Sequence, residues 1–372
     1  MRIVGGPGTA KTDIITQVAT LAGLHVVVVL ASLRDPTDFL GMPVVRDGRV
    51  NYAPPDWVLE ATENPCAVVF FDEINTCSPA TQAALLRVVL DRVVGGHRLP
   101  PTVRILAAQN GVDEAAGGYD LAMPLANRFG TLTDWTGPGV DDWSAWLVGQ
   151  SSGSDLDGIV SNAVAVQERV MAAWPLDYAK ATGTISAFIR RKPSLLHAQP
   201  QTGSAQASLP WPSRRTWAMA ARALAASKIH ALTEAETDRY VGSFVGQAAM
   251  VELASFIVNL DLPDPEELLD GLVALKHHRS RLDRTMAALS ACASLVLPKN
   301  ARRRGERAAA LWKIVRDVMK DAPDIVWPTV RLICSRDADL AREGKTTNKD
   351  ADVVLTKFHP MLREACLLPK GS

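Results

Sequence analysis

Three short stretches hold residues whose types and spacing could do chemistry together. The first is GGPGTAKT, residues 5–12. Gly5, Gly6 and Gly8 let the backbone wrap so that its N–H groups converge on phosphate oxygens, with Pro7, Thr9 and Ala10 completing the loop. Lys11 would then reach the β- and γ-phosphates of a nucleotide and Thr12 would bind Mg²⁺. The helix that follows would aim its positive N-terminus at the same phosphates. This is a Walker A pattern with one departure, because Ala10 stands where the last glycine is usual. A plain glycine-rich turn would look similar in isolation. The second stretch, AVVFFDEIN at 67–75, is an apolar run ending in two carboxylates. Such a strand places Asp72 beside the Mg²⁺, where Glu73 can orient and polarise an attacking water. Without the upstream loop it would read as a strand with an acidic surface turn. The third, VRILAAQN at 103–110, ends in Asn110 in the same way. That amide could hold the same water or sense the γ-phosphate, although a lone asparagine at a strand end is a common turn former.

These groups need a common scaffold, and the pattern around them supplies one. From residue 1 to about 135, short apolar runs alternate with helical patterns. Val26–Leu30, Ala67–Phe71 and Val103–Ala108 read as parallel strands buried on both faces. Residues 79–93 read as a helix with Leu85, Leu86, Val89 and Leu90 on one stripe. That rhythm predicts an α/β domain. Past about 140 the chain turns to Ala- and Leu-rich helical segments, broken by SSGSDLDG at 151–158 and by HAQPQTGSAQASLPWPS at 197–213. LDLPDPEELL (260–269) and REGKTTNKDAD (342–352) read as connectors, and no internal repeat is visible. With 372 residues and 47% apolar content, the chain can bury a substantial core. Forty basic residues balance forty acidic ones, so no whole-molecule field draws it to nucleic acid or anionic membrane. The five cysteines (Cys66, Cys77, Cys292, Cys334, Cys366) form no CxxC pair. This argues against a disulfide framework or a zinc site and for a reducing cytoplasm. No apolar run approaches the ~20 residues of a membrane span.

Taken in order, the three stretches and their surroundings resemble the AAA+ ATPases, and more narrowly the MoxR family of the helix-2-insert clade. GGPGTAKT is close to that family's phosphate loop, the alanine before lysine included. DFLGMP (38–43), followed by VVRDGRVNYAPPDWV, resembles the family's insertion within the second helix. DRVVGGHRLPPTVRI (91–105) resembles the hairpin before the sensor strand, with Gly95 and Gly96 at the turn. MPLANRFG (123–130) is similar to the segment carrying the arginine finger, and WPSRRTW (211–217) to the sensor 2 motif of the lid. The likeness covers about residues 1–220. It implies an α/β P-loop NTPase core with a parallel sheet at 1–137 and an all-α lid with sensor 2 at 138–235; beyond it the helical pattern predicts a helical C-terminal region at 236–372. The likeness further implies ATP and Mg²⁺ as cofactors, with Thr12 and Asp72 at the metal, in a ring of copies, a hexamer. Arg128 becomes the finger that enters a neighbour's site, worth roughly 10³–10⁵ in rate in well-studied GTPases. Arg215 becomes sensor 2 with Ser213 as N-cap, and a shift of one residue would put Arg214 there instead. The implied function is Mg²⁺-dependent ATP hydrolysis coupled to chaperone-like remodelling or activation of a client, with von Willebrand factor A domain proteins as the associated partners.

Two rivals stand beside that reading. One is a nucleic-acid-linked motor or restriction-type subunit of the same clade; the other is a scaffold that uses nucleotide only to assemble, which Glu73 speaks against. KNARRRGER (299–307) lacks interleaved aromatics and reads as a solvated basic turn or partner contact rather than a nucleic-acid patch. His277 and His278 read as surface residues, and the tryptophans at 135, 143, 146, 174 and 217 as packing of the lid. AAA+ proteins of this type carry a helix and linker that cover the adenine, whereas here only residues 1–4 precede the glycines. The expectation is an N-terminally short chain with a fraying first strand and weak, poorly adenine-selective binding.

Overall fold

The computed structural model describes residues 1–64, 66–111, 119–149, 156–259, 262–277, 281–337, 349–365 and 367, with backbone alone for 156–165, 167 and 205. The break at 151–155, His278, Cys366 and most of the 342–352 connector lie outside them. The strands are β1 (Arg2–Gly5), β2 (His25–Leu30), β3 (Met42–Arg46), β4 (Arg49–Ala53), β5 (Ala67–Asp72), β6 (Val93–Val94), β7 (His97–Arg98), β8 (Arg104–Gln109) and β9 (Thr131–Trp135). Five of them form one sheet in the order β2-β5-β8-β1-β9, with every neighbouring pair parallel. In such a sheet the C-terminal strand ends form the crevice where ligands bind. Here those ends carry the glycine loop after β1, Asp72 on β5 and Asn110 after β8.

Burial follows position in the sheet. The inner strand β5 is buried from Ala67 to Phe71, as its unbroken apolar run predicts. β2 is different: it is an edge strand, and Val28 and Leu30 remain 44% and 41% exposed, so two-sided burial fails there. Over the sheet pack α1 (Lys11–Leu21), α2 (Thr37–Leu40), α3 (Asp56–Glu63) and α4 (Pro79–Asp91). The rings of Phe39, Trp57 and Phe71 meet at 5.8–6.2 Å in that core. Ser78 caps α4 through the Thr81 N–H at 3.2 Å, with Pro79 at the first turn. The helix stops at Asp91, short of the predicted 93, because Arg92 turns left-handed (φ 57°) and leads into β6. Its buried stripe is Thr81, Ala84, Leu85 and Val88, whereas Leu90 faces solvent.

Two β-hairpins project from this layer. β3 and β4 pair antiparallel around Asp47-Gly48, and β6 and β7 around Gly95-Gly96. All four turn residues have positive φ, as two-residue hairpin turns of this type require. The turn of the second hairpin meets the base of the first: the Gly95 N–H donates to the Leu40 carbonyl at 3.0 Å, and a Cβ on Gly41 would lie 2.6 Å from the Gly95 Cα.

The short helix α5 (Met123–Ala126) precedes β9, and after the sheet come α6 (Val140–Leu147), α7 (Leu156–Arg191), α8 (Arg214–Ile229), α9 (Glu234–Val245), α10 (Gln247–Val258), α11 (Pro265–Leu269), α12 (Leu282–Val296), α13 (Arg304–Met319), α14 (Pro323–Arg336) and α15 (Lys349–Glu364). The chain forms two compact units: residues 1–169, 197–219 and 239–247 in the first, and 170–196, 220–238 and 248–372 in the second. The second is helical, with a core that includes Leu289, Leu311, Trp312, Val330 and Phe358. Three sequence expectations change. The basic stretch is not a solvated turn: Arg307 is buried and bonds Glu266 and Asp270, and Arg304 pairs with Asp337. His277 is half-buried, with Nδ1 3.0 Å from the Thr285 hydroxyl. Trp143 and Trp146 are exposed on α6, which buries no residue, so neither sits in a core.

Candidate functional site

The loop between β1 and α1 is strained at the position where sequence reasoning noted a departure. Ala10 adopts φ 58°, a left-handed conformation that costs a non-glycine residue roughly 1–2 kcal/mol. The loop is held from both sides. The Thr9 hydroxyl donates to the Gly6 carbonyl at 2.8 Å, and the Trp135 indole N–H at the end of β9 donates to the Thr9 carbonyl at 3.0 Å. A Cβ on Gly5 would sit 2.6 Å from the Trp135 carbonyl oxygen, so glycine is needed there for close approach. Trp135 therefore braces this loop, where the sequence reading had it packing a lid.

Lys11 lies buried over the loop. Its ammonium donates to the carbonyls of Gly5 and Gly6 at 2.9 and 2.7 Å and to Asn110 Oδ1 at 3.0 Å. Thr12 Oγ1 donates to Asp72 Oδ2 at 2.5 Å. The other oxygen of Asp72 accepts from the Glu73 N–H at 2.9 Å. Asn75, from the turn after β5, donates to the Asn110 carbonyl at 3.3 Å. Residues distant in sequence thus form one hydrogen-bonded cluster at the ends of β1, β5 and β8. Glu73 stands beside it with φ 52°, and its Oε2 accepts from the Ser32 hydroxyl at 2.8 Å. Among the described residues, no group of three His, Cys, Asp or Glu side chains is placed to hold a metal alone. The donor set at Thr12 and Asp72 is instead a hydroxyl and one carboxylate, the pairing Mg²⁺ uses when phosphates supply other ligands.

Arg128 and Arg215 come together elsewhere in the same unit. They line a cavity of 370 Å³ with Asn127, His197, Trp211 and Arg214, among others. Ser213 caps α8, its hydroxyl accepting from the Thr216 N–H at 3.2 Å while the Thr216 hydroxyl accepts from the Ser213 N–H at 2.8 Å. Asn127 Oδ1 accepts from Ser213 Oγ at 3.0 Å and from Arg215 Nη1 at 3.4 Å. Those two donors fix the amide, leaving Asn127 Nδ2 buried without a partner among the described residues. Arg128 Nε and Trp211 Nε1 are buried without one as well. Burial, and next the charge of Arg215, lower the pKa of Arg128 from its ordinary value, while Asp91 acts the other way.

Several residues that matter here gave little sequence signal. Ser32 follows the edge strand β2, Asn127 precedes the arginine that drew attention, and Trp135 ends β9. Arg2 is a charged residue inside the strand β1, and it is fully buried. Its guanidinium donates to Thr131 Oγ1, Gln109 Oε1 and the Ser208 carbonyl, and burial pushes its pKa down to about 9. It ties β1 to the residue preceding Asn110.

Residues 1–131 match the model of a family described as ATPase family associated with various cellular activities (AAA). The matched segment holds the glycine loop, Asp72, Glu73, Asn110 and Arg128, and it supports an ATPase assignment in general terms. No curated protein matches the chain. A solved structure of a candidate ATPase from Cytophaga hutchinsonii is 18% identical, with 68% of this chain and 74% of that one covered and a TM-score of 0.38. A likeness of that size says nothing about chemistry. No helix among the described residues is long and apolar enough to cross a membrane.

Proposed function

We propose that the chain hydrolyses ATP with Mg²⁺ as one subunit of a MoxR-type ring, a hexamer, and that turnover drives chaperone-like remodelling or activation of a partner protein. The observation that carries this is the hydrogen-bonded convergence of Lys11, Thr12, Asp72 and Asn110 at three strand ends. In this reading residues 6–12 wrap the phosphates, Lys11 moves from the loop carbonyls to the β- and γ-phosphates, and Thr12 and Asp72 hold the metal. Bound Mg²⁺ supplies charge neutralisation on the transferring phosphoryl group. Glu73 takes the proton of the attacking water, and Asn110 holds that water or the γ-phosphate. The shared cavity of Arg128 and Arg215 supports a single task for both, stabilising the phosphoryl group of a nucleotide held by a neighbouring copy. A von Willebrand factor A domain protein is the first client class to try.

Glu73→Gln tests this most simply. It should keep ATP binding and lower hydrolysis by about 10²–10⁴, because the amide cannot take the proton. Lys11→Ala should instead weaken binding. Wild-type hydrolysis by Glu73→Gln would show that the carboxylate is not the base. Stimulation of turnover by DNA would favour the nucleic-acid motor of the same clade.

A further inference from the structure

The two hairpins carry a surface that the hydrolysis site does not use. A cavity of 880 Å³ lies between them, walled by Leu40, Val44, Tyr52, Arg46, Arg87 and His97 among others. Its one carboxylate is Asp47. Arg46 stands directly opposite Arg49 across the ribbon, a like-charge pair that is unfavourable unless something anionic joins it. Among the described residues, the guanidinium groups of Arg46, Arg49 and Arg87 make no ion pair. On the face of the ribbon opposite Arg46 and Arg49, the apolar Val45, Val50 and Tyr52 are 75%, 60% and 52% exposed, and Val50 and Tyr52 also line the cavity. Among the described residues β3 and β4 form a sheet of two strands, so the outer edge of each has N–H and C=O groups that no further strand pairs.

We propose that this ribbon docks an extended acidic segment of a partner protein, added as a further strand. The period of two in a strand places alternate side chains on opposite faces. Added along the outer edge of β4, since Pro43 on β3 has no N–H to offer, a segment alternating carboxylate and aliphatic residues would set its charges beside Arg49 and within reach of Arg46, and its apolar groups beside Val50 and Tyr52. Main-chain pairing supplies affinity and the two faces supply specificity. A nucleic acid would meet the arginines but would use neither the open strand edge nor the valines. The proposal names the chemistry of the partner that the proposed remodelling function requires, and rests on that function only for its purpose.

Binding is measured on the full chain without nucleotide, by fluorescence anisotropy of a labelled peptide alternating glutamate and valine. Comparators are a lysine–valine peptide of the same length and a single-stranded oligonucleotide. The Glu–Val peptide should bind at least about tenfold more tightly than the Lys–Val peptide. In the double variant Arg46→Glu, Arg49→Glu the preference should reverse, a gain of binding that a misfolded chain would not show. Equal binding of the two peptides, or an unchanged preference in the double variant, would overturn the proposal. So would tighter binding of the oligonucleotide that the same substitutions abolish. ATP turnover is assayed separately, so a chain that binds the peptide in this manner yet never hydrolyses ATP would refute the enzymatic reading while supporting the docking site.

Discussion

The cluster at the strand ends and the arginine cavity are both built from charged and polar side chains in one compact unit, yet they differ in how far they satisfy themselves. At the strand ends, Lys11, Thr12, Asp72 and Asn110 bond one another, and the exception is the buried Oδ1 of Asn75. In the arginine cavity, Asn127 Nδ2, Arg128 Nε and Trp211 Nε1 are all buried donors without partners. A buried unmade hydrogen bond costs roughly 1–3 kcal/mol, so three around one cavity form an arrangement that gains from an arriving acceptor. The first site is preassembled. The second leaves buried donors unmet among the described residues, which suits the proposed action on a neighbour's phosphate.

Arg128→Ala should show the largest effect. If the cavity acts on a neighbour's nucleotide, turnover should fall by about 10³–10⁵ with little change in nucleotide affinity. A matching loss of affinity, as expected for Lys11→Ala, would erase the distinction between the two sites. Ser32→Ala should act within the preassembled site and in the opposite direction. Removing the hydroxyl that donates to Glu73 frees the carboxylate to turn toward the water it is proposed to activate, and kcat should rise about three- to tenfold with KM unchanged. A fall in kcat would mean that Ser32 positions Glu73 rather than restraining it. Ala10→Gly sharpens the account of the loop: relief of the left-handed strain, offset by the greater freedom of glycine in the unfolded chain, should stabilise the first unit by about 0.5–1 kcal/mol in thermal melts. Destabilisation would show that the Ala10 methyl packs favourably.

The smallest effect concerns the second unit and acid. Burial works against the charges of Asp264 and Asp317, but hydrogen bonds from Lys180 to the former and from Lys320 and Arg316 to the latter outweigh it, and both carboxyls titrate below their ordinary range. Asp270 does the same, chiefly through Arg307. Because their folded pKa values lie below the unfolded ones, these groups stabilise the fold above the unfolded pKa, and that contribution is lost as pH falls through the folded values. The melting temperature should therefore drop between pH 5 and pH 2 on the order of a few degrees, and less so in Asp264→Asn. An identical drop in the variant would remove Asp264 from the explanation.

What the sequence made legible follows the same division. The strand-end cluster could be read because each part is contiguous: glycines beside Lys11 and Thr12, an apolar run into Asp72 and Glu73, and another into Asn110. The inner strand β5 was plain for the same reason. The edge character of β2 was not, because VVVVL looks alike with one covered face or two, and only the sheet order decides. The end of α4 was missed by two residues because nothing local marks Arg92 as left-handed. The arginine cavity was half legible. Arg128 and Arg215 stood out as charges in recognisable segments, but Asn127 and Trp211 matter only through three-dimensional proximity. In the same way, Arg303–Arg307 looked like a surface charge run because its carboxylate partners lie about 30 to 40 residues away in the chain.

Mixing two inactive chains tests the central claim most directly. On the proposed roles, Glu73→Gln would lack the base but keep the arginine cavity, and Arg128→Ala would keep the base but lack the finger. If the cavity of one copy completes the site of the next, assemblies formed from both should regain ATP turnover at interfaces where an intact Glu73 meets an intact Arg128. Native mass spectrometry of the mixture establishes that the copies have combined. Recovered turnover, rising with the mixing ratio to a maximum near equal amounts, is the predicted result. Demonstrably mixed assemblies with no more activity than the two variants apart would contradict it.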